Sequence, residues 1–237
     1  MQTNLTGVSQ TLLLPLIGRA VASKFKHPLL YDSEALQIVE RFKLETAPLL
    51  KHYSGVYAKQ FLDRAYQIEQ QVKEFINKNP DVVIGNLGAG LDTTFYRINN
   101  THIKWVDIDL PDVIKLRKDL LMLNPQVYPI ACSVLDESWV KHVKKLSGKY
   151  FFIAARLLFY FTEDEVQQIF SLICNNFPQS PIIFDTISAK QRNKSNKMFA
   201  KIAMHNVTQK WVAETDDQLY RVLPHNYNLT RLLFFII

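Results

Sequence analysis

Four residues have types and spacing that suit nucleoside chemistry: Gly88 and Gly90, then Asp107 and Asp109 about twenty residues on. The glycines follow an apolar run, Val82 to Ile84, and the acids sit on a second one, Ile103 to Ile108 and just beyond. Lacking a Cβ, glycine lets the backbone turn through positive φ and come close to a ligand. Strand, glycine turn, helix, strand, acid is the order of a parallel-sheet nucleoside site, in which the acid accepts hydrogen bonds from both ribose hydroxyls.

A dinucleotide fits poorly. Thr93 stands where such a turn carries its third glycine, and Asp92 puts a negative charge beside the helix N-terminus, where a pyrophosphate would sit. A cationic or zwitterionic ligand suits Asp92 better. S-adenosylmethionine, an adenosine with an amino-acid tail and a sulfonium, meets that description. A lone GxG with a distant acid also occurs in ordinary strand-to-helix turns, so the motif alone leaves both readings open.

The chain of 237 residues is long enough for one large domain, with 48% apolar and 21% charged residues. No apolar run approaches the roughly twenty residues of a membrane helix. The stretch 11–18 resembles a short leader core but has neither a preceding positive charge nor a following cleavage site. We therefore expect a cytoplasmic protein without a membrane partner. Cys132 and Cys174, in apolar surroundings, read as buried thiols in a reducing compartment. They stand far apart, no two histidines fall at ligand spacing, and no metal site is expected. The net charge of +6 permits an acidic partner, but the basic clusters at 141–149 and 190–201 have little aromatic interleaving, so a nucleic-acid partner is not expected.

Elements that could position these residues follow from periodicity. A helix is limited to roughly 8–27 by Pro15, Gly18 and Pro28; a second opens at Asp32 as N-cap; a third runs from about Val56 to Asn77. Pro111 opens a helix after the second strand, and Val127 to Cys132 and Tyr150 to Ala155 read as strands. Thr162 to Glu165 is a capping box, and Ile182 to Ile187 a fifth strand. Leu219 to Leu223 and Leu229 to Ile237 could be two more, completing seven, while 189–210 carries only a weak helical stripe. The expected architecture is α/β: a doubly wound, mostly parallel, seven-stranded sheet with an N-terminal helical cover. Residues 1–80 form the cover, 81–190 the cofactor-binding core and 191–237 a short variable part of a single domain.

The segments NLGAGLDTTFYRI (86–98), WVDIDLPDVIKLRKDLL (105–121), SVLDESW (133–139), LLFYFTEDEV (157–166) and FDTIS (184–188) resemble the leucine carboxyl methyltransferase superfamily. Within it the chain resembles the branch of bacterial O-methyltransferases similar to a polyketide methyltransferase, and TLLLPLIGRA (11–20) and HPLLYDSEA (27–35) extend the match. The resemblance implies a class I, Rossmann-like methyltransferase fold, S-adenosylmethionine as cofactor, and methyl transfer to an oxygen, often a carboxylate. It places Leu87, Gly88, Ala89, Gly90 and Asp92 under the methionine moiety, Asp109 on the ribose, and Ser133, Val134 and Leu135 beside adenine. Asp109 could instead cap the helix opened by Pro111.

The chain departs from the family pattern at three places. Lys59 replaces the arginine that meets the cofactor carboxylate, where Arg19 could assist; lysine supplies charge without the bidentate fork. At the end of the fourth strand Ala155 stands where the family has an acid, and Arg156 where it has a small residue. Arg156 could weaken cofactor binding or hold a substrate carboxylate. The C-terminal part after Tyr220 is shorter than usual. No residue is identified as catalytic; Arg156 and Tyr160 are candidate pocket residues, and Tyr31 or Tyr57 candidate walls. The expected function is S-adenosylmethionine-dependent O-methylation of a carboxylate or hydroxyl on a small molecule. The departures keep open a degenerate fold that binds without catalysis, and the basic balance an RNA or protein methyltransferase.

Overall fold

Six parallel strands carry the site. The computed structural model describes residues 11–42, 55–201, 204, 206–224 and 232–236. Strands β1 (Val82–Leu87), β2 (Lys104–Asp109), β3 (Val127–Ala131), β4 (Lys149–Ala154), β5 (Ile182–Thr186) and β6 (Leu232–Ile236) lie in the order β3-β2-β1-β4-β5-β6. Every neighbouring pair is parallel. The apolar runs of β1 and β5 are buried along their whole length, as covering a sheet on both faces requires.

The expectation of seven strands is corrected. Among the described residues the sheet has six, because Leu219 to Leu223 is not a strand. Asp216–Tyr220 is a helix, opened by a capping box in which the Gln218 amide donates to Thr215 Oγ1 (3.4 Å) and the Thr215 amide to Gln218 Oε1 (3.2 Å). Leu219 is the buried position of this helix, and Val222 and Leu223, buried just after it, continue the helical and not the alternating spacing. The T-x-x-Q box was the signal that this apolar run concealed. The other proposed strand survives as Leu232–Ile236; residues 229–231 and 237 lie outside the described residues.

The helices in chain order are α1 (Leu13–Ala22), α2 (Ser33–Arg41), α3 (Gly55–Lys78), α4 (Thr94–Ile98), α5 (Pro111–Leu120), α6 (Ser138–Val143), α7 (Glu163–Asn176), α8 (Ala189–Lys201) and α9, the Asp216–Tyr220 helix. Asp32 caps α2 as its position predicts, Oδ1 accepting the Ala35 amide at 3.0 Å. The capping box of α7 forms through Thr162 and Glu165. The polar stretch after β5 does form a helix, α8, with Phe199 buried and Asn196 exchanging two hydrogen bonds with the Gln209 backbone.

Layering follows from these apolar faces. Ile68 and Val72 of α3 pack on Ile84, Trp105 and Phe151 at one face of the sheet. Trp139, Phe170 and Phe177, from α6 and the α7 region, fill the other. Helices α1 and α2 lie against α5 through Leu16, Ala20, Ile38, Val113 and Leu116. That last contact brings the N-terminal segment over the C-terminal ends of β1 and β2.

Candidate functional site

Strand order reverses direction at β1 and β4, and in such sheets a crevice opens at the carboxyl ends of the strands flanking that point. A cavity of about 370 Å³ lies there. Its floor is the β1 end and the glycine turn, its sides the ends of β2, β3 and β4, and its roof Leu12, Pro15 and Arg19 from the α1 region with Arg64, Ala65 and Ile68 from α3.

The glycine turn has the backbone that its sequence requires. Gly88 and Gly90 hold φ of +62° and +50°. The Gly88 amide donates to the Ile108 carbonyl at 2.8 Å, which locks the turn to the end of β2. A Cβ on Gly88 would lie 2.5 Å from Leu157 Cδ1, whereas one on Gly90 would meet nothing nearer than 3.7 Å.

Asp109 lines the cavity beside this turn. Its Oδ2 accepts the Gly90 amide and its Oδ1 the Leu110 amide, each at 2.7 Å. Leu110 is the N-cap of α5 and gives it no side-chain cap, so Asp109 divides its two oxygens between the glycine turn and the amide that precedes this helix. Burial raises its pKa, against the two amides and Arg117, which favour the carboxylate. Two bonds leave further lone pairs on both oxygens. Asp92, also at the cavity, accepts from the Thr94 hydroxyl at 2.8 Å and the Thr94 amide at 3.2 Å. Asp107 does not reach the cavity; it is buried behind the turn and paired with Arg117.

The roof is fastened by a buried charge network. Asp32 Oδ2 accepts from Arg19 Nε (2.8 Å), Thr93 Oγ1 (2.6 Å) and Arg97 Nη1 (3.0 Å). Arg97 Nε donates in turn to Glu69 on α3 at 2.8 Å. Burial alone would raise the Asp32 pKa, but Arg19, Arg97, Thr93 and the Ala35 amide together hold it below its ordinary value. Arg19 spends Nε on Asp32 and Nη2 on the Leu91 carbonyl at 2.7 Å, so it joins α1 and α2 to the glycine turn while lining the cavity.

At the opposite wall, Arg64 Nη1 meets Asp185 Oδ2 at 3.3 Å, and Asp185 Oδ1 accepts the Arg156 amide at 2.5 Å. Burial lowers the Arg64 pKa to about 9, with Arg156 and Arg19 adding to the fall and Asp185 opposing it. Arg156 has φ of +54°, a left-handed conformation in which a glycine would be unstrained, and its guanidinium lies 5.5 Å from the Phe159 ring centre.

The structure thus brings Arg19, Gly88, Ala89, Gly90, Asp92 and Asp109 to one cavity. Ser133, Val134, Ala155, Arg156 and Tyr160 join them from the other strand ends. Leu87 does not; it is fully buried in the core. Leu135 also stays out, packing partly buried against that core, and half-buried Cys132 takes a place at the cavity instead. The Lys59 and Tyr57 side chains lie outside the described residues, and Tyr31 is exposed, away from the cavity. Tyr160 is tied down, its hydroxyl donating to Thr11 Oγ1 at 3.2 Å. Neither cysteine is fully buried; burial raises both thiols, Cys174 to about 12.

Three residues escaped sequence reading: Arg64, Asp185 and Arg117. Each had a faint signal. Asp185 is the one charge in the apolar run Ile182 to Ile187, Arg64 adjoins the apolar face of α3, and Arg117 follows Leu116 on the buried side of α5.

The family of leucine carboxyl methyltransferases matches this chain over residues 13–174. The tetracenomycin polyketide synthesis O-methyltransferase TcmP of Streptomyces glaucescens is 27% identical over 184 residues, 77% of this chain and 67% of that protein. The S-adenosyl-L-methionine-dependent methyltransferase dpfgK of Gibberella zeae is 24% identical over 201 residues, 76% of this chain and 65% of its own length. The chain therefore spans about two thirds of these curated relatives. Among solved structures, human N-acetylserotonin methyltransferase in complex with SAM aligns with 79% of this chain and 55% of its own, at 15% identity and a TM-score of 0.45.

Proposed function

The chain belongs to the leucine carboxyl methyltransferase family, and from that premise we propose that it is an S-adenosylmethionine-dependent O-methyltransferase of a small molecule. The observation that carries this reading is the Asp109 carboxylate, held at 2.7 Å by the Gly90 amide of the glycine turn and by the Leu110 amide, at the edge of the switch-point cavity.

The donor set fits the cofactor. Asp109 keeps lone pairs for a ribose diol, and Cys132, Ser133 and Val134 offer a mostly apolar wall for a purine. Asp92 and the turn provide negative charge for an ammonium group, while Arg19 and Arg64 provide positive charge for a carboxylate. A volume of about 370 Å³ lies in the range of small-molecule sites. When bound, S-adenosylmethionine supplies an electrophilic methyl group on a sulfonium, which leaves as a neutral thioether.

What remains for this chain is orientation and exclusion of water. Among the described residues lining the cavity there is no histidine or lysine to act as general base, and burial has raised the Cys132 thiol. An acceptor already ionised at neutral pH needs none, which favours a carboxylate over a hydroxyl. Arg156 supplies the charge to orient such an acceptor, and Tyr160 and Phe161 shape the apolar mouth beside it.

Isothermal titration with S-adenosylmethionine and S-adenosylhomocysteine tests the reading. Micromolar binding by the wild type that is lost in Asp109→Ala is expected, followed by methyl transfer to a panel of carboxylic acids. Absence of binding by the folded wild type would sink the proposal.

A further inference from the structure

Arg117 of α5 is buried and spans the back of the glycine turn, on the side away from the cavity. Its Nη1 donates to the carbonyls of Gly90 (2.8 Å), Asp92 (3.0 Å) and Ala89 (3.3 Å). Its Nη2 donates to Asp107 Oδ2 at 2.5 Å. Asp107 cannot follow the guanidinium, because its Oδ1 is held by Asn86 Nδ2 of β1 at 3.0 Å and by Trp105 Nε1 of β2 at 2.9 Å. Burial would lower the Arg117 pKa, but Asp107 and Asp92 more than offset this, so the cation persists.

The consequence follows from peptide geometry. In a planar trans peptide the carbonyl and the next N–H point in opposite directions. The Ala89 carbonyl turned toward Arg117 therefore turns the Gly90 N–H away from it, and that N–H is the one that donates to Asp109 Oδ2 at 2.7 Å. Likewise, the Gly90 carbonyl on Arg117 turns the Leu91 N–H away from the guanidinium.

We infer that Arg117, anchored by Asp107, is a positioning residue that fixes the peptide planes of the glycine turn and, through the Gly90 amide, aims the Asp109 carboxylate. This rests on the reading of Asp109 as the nucleoside acceptor. Lysine cannot replace the guanidinium, since an ammonium has no planar fork with which to reach Asp107 and the carbonyls together. The pair also borders a second, small cavity of about 50 Å³ shared with Tyr96 and Leu121. Removing the guanidinium would enlarge that space and let a free guanidinium ion enter.

The test compares wild type, Arg117→Lys, Arg117→Ala with and without guanidinium, and the double variant Arg117→Met/Asp107→Asn, the last of which leaves no unpaired buried carboxylate. S-adenosylhomocysteine affinity is expected to fall about 10- to 100-fold in the double variant, as loss of a charge-assisted hydrogen bond implies, with Arg117→Lys between. Arg117→Ala should regain part of its affinity in millimolar guanidinium. Without ligand, deuterium exchange at Gly90 should quicken in the double variant while β4 and β5 stay protected. A folded double variant that binds within about twofold of wild type would overturn the inference. So would faster exchange across the whole sheet with no rescue by guanidinium, the mark of a merely structural role. Should the double variant not fold, Arg117→Lys decides by the same two readouts. Should the wild type itself not bind, the methyltransferase reading fails, while exchange at Gly90 still tests the clamp.

Discussion

Replacing Asp32 by asparagine strikes the network that fastens the helical roof to the glycine turn. One oxygen, Oδ2, takes donors from Arg19, Thr93 and Arg97, and the charged side chains of Asp32, Arg19 and Arg97 are almost wholly buried. Asparagine preserves shape and can still accept the Ala35 amide, but it leaves two guanidiniums facing an uncharged group. Breaking a buried pair costs about 3–5 kcal/mol. Arg97 retains Glu69, while Arg19 loses the carboxylate it is paired with, so the lower part of that range, about 3–4 kcal/mol, is expected. For a domain of this size that is a fall of about 6–16 °C in Tm. Urea unfolding at pH 7, with equal slopes for the two proteins, measures it directly. The pH dependence is a second check. A carboxylate whose folded pKa lies below its unfolded value of about 3.9 gives its full stabilisation above that value and loses it as the pH falls through the folded one. The gap between wild type and Asp32→Asn should thus stay level from neutral pH to about 4 and narrow only below. A gap under about 1 kcal/mol at pH 7, or one that closes near pH 6, would refute the assignment.

Two further substitutions probe the floor and the far wall. Gly88→Ala adds a left-handed alanine, at about 1–2 kcal/mol, and a Cβ that must push Leu157 aside; it should weaken S-adenosylhomocysteine binding by titration more than Gly90→Ala, whose Cβ makes only ordinary contacts, the nearest with Leu12 Cβ at 3.7 Å. Asp185→Asn removes the carboxylate that faces Arg64 and should cost about 3 kcal/mol or more in thermal melts. Adding Arg64→Met should recover part of that loss; strict additivity of the two changes would count against a coupled pair.

The parts of this molecule legible in the sequence are those whose physics is local. Gly88 and Gly90 need positive φ within a few residues, Thr162 and Glu165 cap one helix turn, and the apolar runs of β1, β4 and β5 are buried because each is continuous. Local signals also mislead when two compete: the apolar run 219–223 fitted a strand, but the Thr215 and Gln218 box beside it starts a helix.

What stayed hidden is long-range. Arg64 and Asp185 are 121 positions apart, and nothing in either neighbourhood states that α3 will cross the end of β5. Arg97 and Asp32 are 65 apart, and each alone reads as a helix-end charge. A charge on the apolar side of an element must be paired somewhere, since burying it alone is prohibitive, so Asp185 and Arg117 announced a need without naming the partner. The fold supplies the partner, as the wall at the end of strand four shows. With Ala155 in place of an acid, the negative charge at that wall comes from the neighbouring strand. Asp185 on β5 holds the Arg156 amide and faces Arg64, so the cation and its counter-charge arrive together from elements that sequence order keeps apart.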